Sequence, residues 1–129
     1  MELNEFLEMP DVSDIEEEIF VSERLGKFKI KAMTMDELSD YRRMSSQGKL
    51  TKSGSNINIA KLSLLIAAGQ TIFPNFADPE FLKKANCRTA SEFMSKKLLA
   101  GEITTIATEV QRISGFDTDI NEAIDEAKN

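Results

Sequence analysis

Residues 117–128 contain the sequence's nearest approach to a metal-binding motif. Asp117, Asp119 and Asn121 have the spacing of the first calcium ligands of an EF-hand loop. Glu122 stands where that loop requires glycine, and Lys128 stands where it requires a bidentate glutamate. We therefore expect no calcium site here and no metal site elsewhere in the chain.

Three other features are explained more simply by structure than by a chemical role. They are a glutamate run, a lone cysteine and two dipeptides that contain lysine. Residues 16–18 are all glutamate, which is more typical of a solvated face than of an acid–base pair. Cys87 adjoins Arg88, but the sequence offers no candidate base, so a small residue near a helix start is favoured over a reactive thiol. Gly48-Lys49 and Lys52-Ser53 lack the order G-x-x-x-x-G-K-[ST] of a phosphate-binding loop.

The composition excludes several classes of protein. The chain of 129 residues has no histidine and one cysteine, which excludes Ser-His-Asp and Cys-His catalysis and His-containing zinc sites. A single cysteine forms no intrachain disulfide and fits a reducing cytoplasm. No apolar run is long enough for a membrane span, and the acidic start is unlike a secretory signal. We expect a non-enzymatic protein with no catalytic residue and no cofactor.

Charge is distributed in three blocks along the chain. Residues 1–23 carry nine Asp or Glu and no Lys or Arg; residues 24–97 carry 14 basic and 6 acidic side chains. Residues 98–129 carry 2 basic and 7 acidic side chains, and the whole chain has a net charge of −6. Two interpretations stay open: the acidic ends lie loosely over the basic middle, or opposite charges on different molecules drive self-association.

The first nine residues have the pattern of a short amphipathic helix. Leu3, Phe6 and Leu7 fall on one side, and Pro10 ends the pattern. Nine residues are too few for a stable isolated helix, so this stretch must dock on its own domain or on a partner. We expect residues 1–18 to be an acidic, mobile segment that becomes ordered on a partner.

A β-hairpin is predicted between residues 16 and 32, with its paired strands at about 19–32. Residues 27–32 alternate strictly, which places Phe28, Ile30 and Ala32 on the inner face. The lysines between them are a common protection of an exposed sheet edge, and this explanation is favoured over nucleic-acid binding.

Capping signals mark the starts of four helices. Residues 34–37 and 89–92 have capping-box spacing, with Thr at the cap and Glu three positions later. Asp78-Pro79 places a capping side chain before a proline at the first helical position. Residues 119–122 have similar cap spacing before a last short helix that contains Ile120 and Ile124.

Two apolar stretches are predicted to form the centre of the core. Within 59–68, the central side chains are expected to be Leu62, Leu65 and Ile66. The stretch 98–116 has helical spacing on one face, formed by Ile103, Ile106, Ala107, Val110 and Ile113. Gly115 followed by Phe116 predicts a Schellman ending for that helix. Residues 45–58 read as a loop and 73–76 as an irregular segment.

These elements predict a mainly α (α+β) fold, a compact multi-helix domain with one N-terminal β-hairpin. Residues 1–18 form the acidic segment, and residues 19–129 form a single helical domain. Candidate partner-binding side chains are apolar residues of the first helix, the irregular segment and the last helix: Leu3, Phe6, Leu7, Phe73, Phe76, Ile120 and Ile124.

The order of the segments resembles a known family. Phe28-Lys29-Ile30-Lys31-Ala32-Met33-Thr34 runs into a helix with Tyr41. A second block contains Pro74-Asn75-Phe76, Phe81-Leu82-Lys83-Lys84-Ala85, Cys87-Arg88-Thr89, Leu98-Leu99-Ala100-Gly101-Glu102-Ile103 and Ser114-Gly115-Phe116. The ordered set is similar to the XkdN-like tail assembly chaperones of phages and PBSX-type prophages with contractile tails, over about residues 19–129. Asn86 and Ala90 depart from the family, where Gly and Pro are common, and both are compatible with the predicted helices.

The resemblance implies a chaperone that binds the tape-measure protein and keeps it soluble until the tail-tube protein polymerises around it. It implies a location in the host bacterial cytoplasm and absence from the mature virion. Tail-tube protein and a second copy of the chain are further possible partners; nucleic acid and membrane are not expected. The alternative is a structural tail or tail-completion protein that stays in the particle, and its copy number in purified tails would distinguish the two.

Overall fold

The computed structural model describes residues 1–46 and 57–116. In chain order the elements are α1 (Leu3–Glu8), a 3-10 turn (Val12–Asp14), β1 (Glu16–Ser22), β2 (Gly26–Lys31), α2 (Met35–Met44), α3 (Ile59–Gln70), β3 (Thr71–Phe73), α4 (Pro79–Ala85), α5 (Ala90–Lys97) and α6 (Ala100–Ile113). The predicted mainly α, α+β fold is confirmed. Within the described ranges, no helix combines the length and apolar character needed to cross a membrane.

The strands form one antiparallel sheet in the order β1-β2-β3. The predicted hairpin is formed by β1 and β2, with Ile19 opposite Phe28. The third strand was not predicted: Phe73, assigned to an irregular segment, pairs with Lys29 of β2. A strand of three residues is too short to show an alternating pattern in the sequence.

The hairpin separates an apolar face from a charged face. Ile19 and Val21 of β1 and Phe28 and Ile30 of β2 are buried on the inner face, as their alternation predicts. Ala32, just beyond β2, is buried as well.

On the outer face, lysines of β2 pair with glutamates of β1. The distances from Nζ to the carboxylate are 3.3 Å for Lys29–Glu16 and 3.7 Å for Lys27–Glu18. All three members of the glutamate run belong to β1, which begins three residues before residue 19, the predicted start of the paired strands.

The core lies between the inner face of the hairpin and helices α3, α5 and α6. Ile106 and Val110 of α6 are fully buried, together with Leu62 and Ile66 of α3. The face predicted for α6 is therefore the buried face, and Ile103 and Ile113 pack at its margins. The prediction for Leu65 is wrong, because this side chain is only half-buried and lies outside the core cluster.

Both predicted capping threonines in the described ranges cap their helices. The Thr34 hydroxyl accepts a hydrogen bond from the Glu37 backbone at 3.1 Å, and the Glu37 carboxylate accepts one from the Thr34 backbone at 2.9 Å. Thr89 caps Glu92 in the same way, at 3.1 Å. The return bond differs, since the Glu92 carboxylate accepts from the backbone of Arg88 at 2.9 Å. This bond and an ion pair with Lys96 lower the pKa of Glu92.

Two helices end on a residue with positive φ. Gly115 has φ of 96°, and the backbone N–H of Phe116 reaches the Gln111 carbonyl at 3.1 Å, which completes the predicted Schellman ending of α6. Asn86 ends α4 with φ of 58°. Asparagine tolerates this left-handed conformation better than other non-glycine residues, which explains why it stands where the resembled family commonly has Gly.

Candidate partner-binding surfaces

The described ionisable group with the largest fall in pKa, Glu102, has a structural role. Its carboxylate accepts hydrogen bonds from the Arg24 guanidinium at 2.5 Å, the Ser22 hydroxyl at 2.6 Å and the Leu99 backbone N–H at 2.8 Å. The bonds from Arg24 and Ser22 lower the pKa of Glu102 to about 2, although burial opposes the shift. The charged side chain therefore fixes the turn of the hairpin to the start of α6.

A second polar group joins α2, α3 and the end of β2. The Tyr41 hydroxyl donates to the side-chain carbonyl of Gln70 at 2.6 Å, and the Gln70 amide donates to the Ala32 carbonyl at 3.0 Å. Gln70 is fully buried. Burial, with nearby Glu37 and Asp40, raises the pKa of Tyr41 to about 12, so the hydroxyl stays protonated and keeps donating.

No candidate metal centre emerges from residues 1–46 and 57–116. Within these ranges, no three His, Cys, Asp or Glu side chains are grouped so that they could hold an ion. The calcium-like spacing at residues 117–128 lies outside the described residues. Cys87 is half-buried, with its Sγ 3.6 Å from the Ala85 carbonyl oxygen.

The predicted stripe on the first helix is fully presented to solvent. Leu3, Phe6 and Leu7 are 82%, 55% and 85% exposed, and α1 contains no buried residue. A helix of six residues is unstable by itself in water. Partner binding by Leu3, Phe6 and Leu7 stays a prediction.

The two phenylalanines predicted to bind a partner lie in different environments. Phe73 is 66% exposed and lies on the outer face of the sheet beside Lys29. Phe76 is half-buried, with its ring centroid 5.6 Å from those of Phe28 and Phe93. Packing thus accounts for Phe76, and a partner-binding role for it stays a prediction. Ile120 and Ile124 lie outside the described residues.

Two exposed apolar features were missed from the sequence. Phe20 is 60% exposed and projects from the same outer face as Lys27, its partner across the strands. Its position could have been predicted, because Ile19 and Val21 on either side point inward. The second feature is a groove of about 400 Å³, lined by Ile59, Ala60, Ser63, Leu64, Ser95, Leu98, Ala100, Ile103 and Thr104. No sequence signal reveals this groove, because it is formed by elements far apart in the chain.

Comparison with protein families identifies the family of this chain. The family model for the phage XkdN-like tail assembly chaperone protein matches residues 3–128. The chain belongs to this family. The match extends the resemblance found in the sequence toward the N-terminus, so the segment that contains α1 is part of the family region of this chaperone.

A solved structure shows the same fold. The crystal structure of the protein yqbn superposes on this chaperone with a TM-score of 0.66, at 21% sequence identity. The match covers 91% of this chain and 98% of the yqbn chain. Comparison with curated proteins gives no match.

Proposed function

We propose that this chaperone binds the tape-measure protein in the host cytoplasm and keeps it soluble until the tail-tube protein polymerises around it. Membership of the tail assembly chaperone family supports a non-enzymatic role in tail assembly. The observation that carries the choice of partner is the exposed stripe of α1, formed by Leu3, Phe6 and Leu7.

The physical need for such a partner follows from the nature of a tape-measure protein. A long helical protein with apolar stripes, made before its tube exists, exposes surfaces that aggregate. A small acidic protein that covers those stripes adds negative charge to the complex, and this chain carries a net charge of −6. Binding would thus both cover apolar surface and increase solubility.

The size of the stripe fits a chaperone that must later leave. Burying three large apolar side chains contributes about 1.5–3 kcal/mol each, and association itself costs about 4–15 kcal/mol. A single copy would bind weakly, and several copies along one tape measure would hold by avidity. Polymerising tube protein would then displace the copies one at a time.

In this proposal the α1 stripe makes the main contact, and Phe73 on the outer face of the sheet makes a second one. Phe76, Ile120 and Ile124 stay predictions as partner-binding residues. Tail-tube protein is a further proposed partner, which this chaperone would meet when the tape measure is handed over.

The proposal is tested by co-expressing a tape-measure protein with variants of the chaperone. The double variant Leu3→Glu/Leu7→Glu removes the stripe, and Met35→Glu is the matched control, because Met35 is a 69% exposed residue of α2. We expect soluble tape measure with the wild type and the control, and pelleted tape measure with the double variant. Full solubility with the double variant would refute the role of α1.

Counting copies in purified tails separates the two roles that the sequence leaves open. A chaperone is expected to be absent from mature particles. A fixed number of copies per tail would instead establish the alternative, a structural or tail-completion protein.

A further inference from the structure

Within residues 1–46 and 57–116, β1 is an edge strand of the sheet. The strand order is β1-β2-β3, so β1 pairs with β2 along one side and with no described strand along the other. The lysines that the sequence suggested as protection of an exposed edge lie on β2, which is the central strand. β1 itself contains no lysine and no proline, two residues that commonly prevent an edge strand from pairing.

The register shows which backbone groups of β1 point away from β2. The carbonyl of Ile15 accepts a hydrogen bond from the Ala32 backbone at 2.9 Å, so Ile15 directs its backbone groups toward β2. Backbone groups of successive residues in a strand point to opposite sides, and the register is regular from residue 16 to residue 20. Glu16, Glu18 and Phe20 therefore direct their N–H and C=O groups away from β2. These groups are a template for pairing with another strand.

A cleft of about 320 Å³ lies beside this template and is called the edge cleft. It is lined by four consecutive residues of β1 and by two residues of α6: Glu17, Glu18, Ile19, Phe20, Glu109 and Arg112. Glu17 and Ile19 belong to the inner face of the hairpin, whereas Glu18 and Phe20 belong to its outer face. A space that is lined by both faces of one strand lies at the edge of that strand, and no residue of β2 lines it.

The charges of the edge cleft suit a basic occupant. It contains three carboxylates and one guanidinium, and the guanidinium of Arg112 is already paired with Glu17 and Glu109. Glu18 has an ion pair with Lys27 at 3.7 Å, in which the two side chains are 65% and 67% exposed. An ion pair that is so exposed contributes little to stability, so a basic side chain of a partner can replace Lys27.

The same charges exclude a second β1 edge as the occupant. Two copies paired here would bring their glutamate runs, residues 16–18, against each other, and like charges on neighbouring strands are destabilising. A nucleic acid would be repelled for the same reason. The occupant that fits is an extended segment of a protein, with arginine or lysine at alternate positions facing the carboxylates. Apolar residues between them would lie near Phe20, which is 60% exposed.

We propose that β1 accepts an extended basic segment of a partner protein as an additional strand of the sheet. Hydrogen bonds to the backbones of Glu16, Glu18 and Phe20 provide affinity, and the carboxylates of the edge cleft select basic side chains. The irregularity between Phe20 and Ser22 confines pairing to the first part of β1. This site uses no residue of the α1 stripe and goes beyond the proposed function.

The first test titrates the full chain with a blocked synthetic octapeptide of alternating arginine and valine, followed by NMR. We expect saturable binding that weakens with salt, with the largest shifts at the amides of Glu16, Glu18 and Phe20. An octapeptide of alternating glutamate and valine is the matched control and should not bind. Absence of saturable binding by the arginine peptide, or shifts that spare residues 16–20, would overturn the proposal.

The second test separates the backbone of β1 from its charge. Glu18→Gln removes the charge alone and should weaken binding of the arginine peptide about twofold to fivefold. Glu18→Pro also removes an N–H that points away from β2, so it should weaken binding about tenfold or more while the hairpin remains paired. Glu80→Gln, at an exposed position of α4, should bind as the wild type does.

A folded Glu18→Pro variant that binds as tightly as Glu18→Gln would refute strand addition. A Glu18→Gln variant that binds as tightly as the wild type would refute the selection of basic side chains. If the proline variant does not fold, the map of amide shifts and the Glu18→Gln comparison still decide the question.

The same measurements distinguish this proposal from the proposed function. Leu3→Glu/Leu7→Glu keeps the edge of β1, so it should bind the arginine peptide although it no longer keeps tape-measure protein soluble. Glu18→Gln should keep tape-measure protein soluble. Peptide binding at residues 16–20, with tape-measure binding absent even in the wild type, would remove the proposed function and leave the site on β1 intact.

Discussion

Helices α1 and α6 have similar sequence patterns, but the apolar stripe of α1 is exposed and that of α6 is buried. Each carries an apolar stripe at helical spacing and acidic residues nearby, but α6 has 14 residues and α1 has six. Ile106 and Val110 of α6 are fully buried, whereas Leu3 and Leu7 of α1 are more than 80% exposed. The longer helix packs against both the hairpin and α3 and forms the centre of the core. Amphipathic pattern alone therefore does not distinguish core from contact surface; the number of helical turns and the available neighbours do.

The glutamates of the two regions differ in the same way. Glu102 accepts hydrogen bonds from three residues and is buried, so its charge fixes α6 to the hairpin. Glu2, Glu5 and Glu8 are exposed. The same type of residue stabilises the fold in one region and makes the surface negative in the other.

The largest effect is expected from truncating the core stripe of α6. Ile106→Ala should destabilise the domain by about 2–4 kcal/mol, because burial is lost and a cavity is left. Out of a total of roughly 5–15 kcal/mol this is severe. Thr104→Ala, on the exposed side of the same helix, should be neutral or slightly stabilising. Urea denaturation checks both, and a greater loss with the Thr104 variant would mean that the buried face is wrongly assigned.

Gly69 tests how tightly α2 is fixed to α3. Alanine normally improves a helix interior by about 1 kcal/mol relative to glycine. At this position a β-carbon would overlap the Tyr41 hydroxyl, which is held by Gln70. We therefore expect Gly69→Ala to destabilise by about 1–3 kcal/mol, measured by thermal unfolding. In a Tyr41→Ala background the same change should become stabilising; no change of sign would show that Tyr41 is not the obstacle.

Glu102→Gln tests the ionic contact at the start of α6 through its pH dependence. The pKa of Glu102 lies below its ordinary value of 4.5, at about 2, so its charge adds stability above pH 4.5. This contribution is lost as pH falls from 4.5 toward 2. Near neutral pH, the variant should have a lower urea midpoint than the wild type. Between pH 4.5 and 2, it should lose less additional stability than the wild type does. Glu5→Gln, on exposed α1, is the control, and its urea midpoint should match that of the wild type. If Glu102→Gln lost as much stability toward low pH as the wild type does, the coupling between the Glu102 charge and stability would be refuted.

The smallest effect on stability is expected from deleting residues 1–9. Since α1 buries no residue, the free energy of unfolding should change by less than about 0.5 kcal/mol. Tape-measure binding should weaken. A large fall in the thermal midpoint would instead show that the stripe belongs to the core of its own domain.

Local signals in the sequence predicted the helices well. Thr34, Asp78 and Thr89 cap helices at the predicted starts, and Gly115 ends α6 as expected. In each case the deciding hydrogen bond joins residues within a few positions of one another, so the pattern is visible in a short stretch. The face of α6 was predicted for the same reason.

Features that depend on distant residues were not predictable. β3 exists because residues 71–73 meet β2, about 40 positions earlier. The packing of Phe76 depends on Phe28 and Phe93, and the anchoring of Glu102 depends on Ser22, 80 residues away. The groove needs three helices at once. Of the candidate surfaces, the sequence therefore revealed the α1 stripe but not the groove.

The contact between Glu102 and the hairpin also sets the timing of folding during synthesis. Ribosomes add about 5–20 residues per second, so the 80 residues between Ser22 and Glu102 take roughly 4–16 s to make. Throughout that interval the hairpin segment lacks the helix that covers its inner face in the folded protein, where Ile19 and Ile30 lie. The nascent chaperone thus exposes apolar surface behind a strongly acidic leading segment, and slower translation through residues 23–102 lengthens that exposure.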